Sequence, residues 1–338
     1  MANCLRCSLY FRDVFLLLTW FGIRKKIVNA IPLSLRLSIP AGIGLFITFI
    51  GFQNMNLIVP DESTMIALGG FSTSLIFGMA GLALILILEV RKVKGSILIG
   101  ILSTTLLAIF FGEVPLPGSF FSLPPSIMPT AFQLDISAAL SWGLFGAIFS
   151  FMFVDLFDSV GTLVACSYEA DLVEEDGTIK KIDKMLGADA IATVFGALMG
   201  TSTTTTYIES ASGIEEGGRT GLTAFTVGIL FLAALFITPF IGIVPSYATA
   251  PALVAVGIFM FKNITKIPMQ NWADTVAVFM IIILMPLTYS ISIGLTFGFL
   301  FWTLIKCLSG NFKAIHPVMW VIAILSAGNL WITVAGLG

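Results

Sequence analysis

Two carboxylates three positions apart, Asp155 and Asp158, stand in the run FVDLFDSVGTLV at residues 153–164. On a helix, residues at this spacing share a face, and Thr162 continues that face two turns beyond Asp155. The remaining residues of the run are Phe, Val and Leu. A helix built this way is polar on one side only, as expected of a wall lining a cavity. Ionisable groups in an apolar segment are expensive, so each one is a functional hypothesis. A second unusual stretch is GTSTTTTYIESASGIEEGGRTG at residues 200–221. Its unbroken hydroxyl residues, Thr201 to Thr206, are poor helix formers, and the stretch is too short for a further complete span. Non-helical backbone at membrane depth is tolerated only where protein or a water-filled cavity satisfies it. The stretch therefore reads as a broken helix, with Ser210 or Ser212 as the cap of a half-helix and Glu209 beside its start. A polar external loop with a serine cap is the simpler alternative.

These residues need elements to hold them, and composition says what kind. Apolar residues make up 57% of the 338 and charged residues 11%, against roughly 25% charged in soluble domains. Mean hydropathy is +1.03. So few charges cannot cover a globular surface, so lipid must be the solvent. The formal net charge of −2 gives no basic field for nucleic acid. Cys4 and Cys7 form a CxxC with no second pair to complete a metal site. The single histidine, His316, argues against chemistry that needs two imidazoles. No cofactor or metal is implied.

Reading apolar runs between charged or Pro/Gly-rich breaks gives roughly ten to twelve membrane segments. They are Tyr10–Ile23, Leu37–Val59, Ser74–Val90, Ser96–Phe111, Ile136–Ser167, Ala188–Gly200, Thr220–Val244, Ala248–Phe261, Ala273–Ser290, Ile293–Leu308 and Val318–Val334, with the threonine stretch as an irregular crossing. Tyr168–Lys184 reads as a solvated charged loop. Basic loops alternate with base-free loops along the whole chain. By the positive-inside rule the basic ones are cytoplasmic, which places the N-terminus outside.

The two motifs, with MLGADAIATVFGALMGTSTTTTYIESASGIEEGGRTGLTA (185–224), SIPAGIGLFITFIGFQN (38–54) and LMPLTYSISIGLTFGF (284–299), resemble the nucleobase–cation symporter family, in its adenine/guanine/hypoxanthine permease branch. The resemblance implies an all-α polytopic membrane protein of two inverted seven-segment repeats, with core and gate domains and a broken helix carrying a short strand. It divides the chain into a non-family extension at 1–13, the remainder of the first repeat at 14–135, the second repeat at 136–313 (core 136–244, gate 245–313) and a C-terminal hydrophobic segment at 314–338. It implies proton-coupled uptake of hypoxanthine, guanine or adenine across the plasma membrane, with H+ or another cation as coupling ion and a homodimer by analogy. It assigns substrate binding to Asp155, Glu209, Thr203, Thr204, Thr205, Ser210 and Gly213, and proton coupling to Asp155, Asp158 and Glu209. A purine edge carries N–H donors, and a carboxylate accepts two at once; Phe157 or Tyr207 could stack on the ring. Family members open with about three more segments, so residues 1–338 alone are expected to bind purine weakly and not to transport it.

Two other classes compete. An aspartyl-type membrane hydrolase needs two facing carboxylates, for which Asp155 and Glu209 are the pair available. A channel or anion exchanger of similar fold would favour a basic residue where Glu209 stands.

Overall fold

The structure is a computed structural model. It describes residues 27, 30–115, 119, 121–124, 126–128, 131, 155–156, 159–164, 166–174, 178–201, 204–207 and 210–334. Among these, helices dominate, and six are long and apolar enough to cross a bilayer. In lipid a backbone polar group has no water to turn to, so each span closes its hydrogen bonds within itself. The elements are α1 (Leu33–Asn54), β1 (Ile58–Asp61), β2 (Met65–Leu68), α2 (Thr73–Val90), α3 (Ser96–Phe110), α4 (Ile182–Leu198), α5 (Ser210–Glu215), α6 (Gly221–Ala234), α7 (Thr238–Ile241), α8 (Ser246–Phe261), α9 (Trp272–Leu287), α10 (Ile291–Leu308) and α11 (Pro317–Val334). A 3-10 turn, Leu235–Ile237, joins α6 to α7, and the pair make one apolar run, Gly221–Ile241. The helices α2, α3, α6 with α7, and α8 to α11 start and stop within a few residues of the apolar runs.

Two expectations are corrected. The run Leu37–Val59 is not one span: α1 stops at Asn54 and Val59 lies in β1. Asn56 adopts a left-handed φ of 58°, its N–H bonds to Gln53 O and the Leu57 N–H to Phe52 O. This pairing ends helices, and asparagine tolerates the left-handed position it needs. The charged loop is also shorter than Tyr168–Lys184. Lys181, at φ 57°, turns the chain into α4 at Ile182, and Asp183 occupies the first helical turn, where a negative charge is favoured.

The chain forms two compact units. One comprises Met1–Ile43, Ser126–Ala211 and Asn263–Gly338; the other comprises Gly44–Pro125 and Ser212–Lys262. In the first, α9 packs on α10 and α10 on α11. Asp274, near the start of α9, anchors this end. It accepts from Ser34 Oγ at 3.1 Å, from the buried indole Nε1 of Trp302 at 2.8 Å and from Asn271 Nδ2 at 2.6 Å. Lys306 stands over the Trp302 ring. His316 accepts the Val318 N–H at the start of α11.

In the second unit, α8 packs against α2 and α3, which pack on each other. The later half of α1 meets α8 through glycine. A Cβ on Gly44 would stand 2.8 Å from Gly257 O and 2.9 Å from Met260 Cβ, and one on Gly257 would collide with Thr48 Oγ1 and come within 2.5 Å of Gly44 O. Lipid provides no hydrophobic drive between helices, so close backbone approach has to supply the attraction. The β1–β2 turn is fixed by Asp61, whose Oδ1 accepts from the backbone N–H and hydroxyl of both Ser63 and Thr64. The Ser63 hydroxyl and then the Thr64 backbone N–H lead in holding the Asp61 carboxyl well below the usual aspartate range.

Two outcomes test this packing. Gly257→Ala should cost about 1–3 kcal/mol by overpacking, read as a lower unfolding temperature in detergent; an unchanged temperature would show that α1 and α8 can slide apart freely. Asp61 has a depressed pKa, so its contribution is complete above about pH 3.9, the ordinary aspartate value, and is lost as the pH falls below it. Amide protection of Ser63 and Thr64 should therefore persist unchanged from pH 7 to pH 5 and disappear in Asp61→Ala at both.

Candidate functional site

The described residues of the Asp155 segment, 155–156, 159–164 and 166–169, are helical. Asp155, Ser159 and Thr162 follow a four-then-three spacing, which lines up one stripe of a helix. All three are buried, Asp155 at 5% exposure and Ser159 at 0%. Thr162 Oγ1 donates to Ser159 O at 3.1 Å, while the Ser159 hydroxyl finds no partner among the described residues. A buried hydroxyl left this way calls for a ligand or solvent to complete it.

Two neighbours hold this helix. Val160, Leu163 and Val164 form a buried cluster with Ile179, Ile182 and Leu186 at the start of α4. Gly161 lies against α1: a Cβ there would stand 2.6 Å from Ile39 Cγ2. The helix carrying Asp155 is thus clamped, with no room for a side chain at Gly161.

The chain returns through α4, which presents Asp189 and Thr193 on one face, both buried. These residues are absent from the expectations drawn from the sequence. The apolar run starts at Ala188, with Asp189 at its margin; the helix starts at Ile182, which puts Asp189 in its middle. The legible signal was the four-residue spacing of Asp189 and Thr193 in an otherwise apolar run.

α4 ends at Leu198 because Gly200 takes a left-handed φ of 75° and the Thr201 N–H reaches back to Gly196 O at 2.9 Å. Thr201 Oγ1 bonds to the same carbonyl. The described threonines beyond, Thr204 to Thr206, with Tyr207, carry no regular secondary structure; the short strand expected there is not formed among them, and the strands observed are β1 and β2. Thr193 Oγ1 donates to Thr204 O at 2.8 Å, which ties the irregular stretch to the buried face of α4. Thr204 and Tyr207 are exposed and Thr205 is half-buried.

α5 begins at Ser210, and Ser212 lies at its third position. Ser210 is exposed and its N–H donates to Tyr207 O. Gly213 is exposed, and its carbonyl accepts the Gly218 N–H at 2.9 Å beside the left-handed Gly217. That gives Gly213 a part in ending α5. Asp158, Thr203, Glu209 and Phe157 lie outside the described residues. The structure thus brings Asp155 to a clamped helix beside α4, and Thr204 to α4 through Thr193.

A buried helix face of Asp155, Ser159 and Thr162, in a chain with six helices long and apolar enough to span a bilayer, points to a polytopic integral membrane protein of the transporter class. The fold agrees. The transmembrane domain of a cyanobacterium bicarbonate transporter, BicA, superposes with a TM-score of 0.54 at 16% identity, over 87% of this chain and 76% of that one. The chain belongs to the Permease family of xanthine/uracil type, whose model matches residues 1–297. It is similar to a putative permease of Methanocaldococcus jannaschii (42% identity, 93% of this chain, 72% of the relative). It is also similar to the adenine permease AdeQ of Escherichia coli (39%, 92% and 70%) and to the guanine/hypoxanthine permease PbuG of Bacillus subtilis (39%, 91% and 70%). The family is one of transporters, which sets the hydrolase reading aside.

Thr193→Val keeps the shape and removes the donor to Thr204 O. Losing this bond at an exposed carbonyl should cost about 0.5–1.5 kcal/mol, measured as thermal stability in detergent, and Thr193→Ser should restore most of it. Equal stability of all three would mean that the Thr193–Thr204 bond does not hold the stretch.

Proposed function

We propose that this permease carries purine nucleobases into the cell together with a proton, and that Asp155 and Glu209 receive the N–H edge of the base. The observation that carries the reading is the buried stripe of Asp155, Ser159 and Thr162 in an apolar helix. Relatives named as adenine and guanine/hypoxanthine permeases support a purine as the substrate. A flat base offers both donors and acceptors along its edges. A carboxylate takes two N–H donors, and hydroxyls such as Ser159 can serve either role. Thr203, Thr204, Thr205 and Ser210, with the backbone around them, supply further polar contacts in the same reading. Asp158 and Glu209 join Asp155 as the groups that pass the proton.

Asp189 is added to this set. It is a second buried acid, on the helix that packs against the Asp155 segment. Acids in membrane spans line pathways for ions and protons, so Asp189 belongs on the route by which a proton reaches or leaves the substrate-holding carboxylate. A carboxyl group loads and releases a proton as its access to water changes, and this couples protonation to transport.

The test is uptake of radiolabelled adenine, guanine and hypoxanthine by cells that lack their own purine permeases and express this protein. A protonophore should collapse uptake. Asp155→Asn and Glu209→Gln should each weaken purine binding by roughly 10–100-fold, the worth of hydrogen bonds to a charged group. Asp189→Asn should preserve binding and lose accumulation against a gradient. Purine binding unchanged by Asp155→Asn, in protein that reaches the membrane, would overturn the assignment of the site.

A further inference from the structure

The hairpin between α1 and α2 is unlike an ordinary solvent loop. Its register pairs Ile58 with Leu68 and Pro60 with Ile66. Directly opposed residues of an antiparallel pair point to the same side, so these four make one wholly apolar face. Leu68 is 78% exposed, and Phe71, just before α2, is 97% exposed. A lone two-stranded hairpin is marginal in water even without such a face, so something other than water has to cover it.

Three observations identify the cover. The hairpin joins two helices long and apolar enough to cross the membrane, Leu33–Asn54 and Thr73–Val90, and so stands at the end of both. Phe71, just after the hairpin, and Ile76 and Met79 on α2 are exposed as well, so exposed apolar side chains follow one another from the hairpin into the helix after it. No Lys or Arg occurs between Arg36 and Arg91, and the turn carries Asp61 and Glu62, so charge attracts neither anionic headgroups nor an acidic partner. We propose that this face lies on the bilayer, with Leu68 and Phe71 at the acyl boundary and the Asp61 turn in water. Apolar burial of this kind fixes the depth of an element in the interface. Here it would set the depth of the adjoining ends of α1 and α2.

The test is spin-label accessibility in nanodiscs of neutral phosphatidylcholine. The full chain, with its native cysteines replaced, would carry single labels at Leu68→Cys, Phe71→Cys and, as a water-facing control, Glu62→Cys. The labels at 68 and 71 should be open to oxygen and closed to a water-soluble nickel chelate, with the reverse at 62. Adding anionic lipid should leave the pattern unchanged. Labels at 68 and 71 open to the chelate would place the face in water. Labels closed to both reagents would show that protein, a second copy or another segment, covers it. Either result overturns the proposal. In the otherwise native chain, Leu68→Asp should speed amide exchange across Ile58–Leu68 about tenfold or more, the loss expected when a leucine can no longer be buried. Unchanged exchange there would overturn it equally.

Discussion

A backbone carbonyl or a hydroxyl in hydrocarbon must find its partner within the protein, since water cannot supply one. Many helical threonines here, and a few serines, meet that demand locally. Thr48 bonds to Gly44 O, Thr104 to Gly100 O, Ser167 to Leu163 O and Thr303 to Phe299 O, each one turn back. Helix ends follow the same rule. Asn56, Gly200 and Gly217 each take a left-handed conformation, so that the next N–H folds back onto the last turn. Thr193 departs from this habit, because its hydroxyl leaves its own helix for Thr204 O. A donor spent on a distant segment in this environment marks the place where the irregular stretch has to be held.

The same constraint shapes helix contacts. Because Thr48 satisfies itself on Gly44 O, it presents a compact, neutral surface, and Gly257 can pass close beside it. A side chain at Gly257 would push the helices apart and lose the close contacts that take the place of hydrophobic drive in lipid. Asp274 answers the problem differently. It is partly exposed near the start of α9 and gathers a serine, an indole and an asparagine around one carboxylate, joining the start of α1 to α9 and α10.

Much of this was legible from the chain. Spans such as α2 and α10 are apolar runs cleanly bounded by capping serines and terminal bases, so composition locates them. Asp155 was legible because an acid among Phe, Val and Leu is costly and therefore conspicuous. Ser159 was not, because a serine in an apolar helix is cheap and usually bonds to its own backbone. The hairpin was hidden because Ile58 and Val59 extend the apolar run of α1, and the feature that breaks it is a left-handed asparagine rather than a Pro or Gly. Asp189 was overlooked because Lys180, Lys181 and Lys184 made the start of α4 look like solvated loop. The bond from Thr193 to Thr204 depends on how the chain doubles back, which spacing alone does not encode. The readings at Asp158, Thr203 and Glu209 concern residues outside those the structure describes.

The contacts around α4 carry a mechanical consequence. The buried cluster of Val160, Leu163 and Val164 with Ile182 and Leu186 joins the Asp155 helix to α4. The turn at Gly200 and the Thr193–Thr204 bond join α4 to the threonine stretch. Interiors packed this closely resist deformation and transmit displacement. A ligand that pulls on Thr204 or Thr205 therefore also loads α4, and through its core the helix that carries Asp155. For a permease this matters more than any single hydrogen bond. Under the proposed function, occupancy at the threonine stretch and protonation at Asp155 would be two influences on one body, as coupling between a substrate and an ion requires.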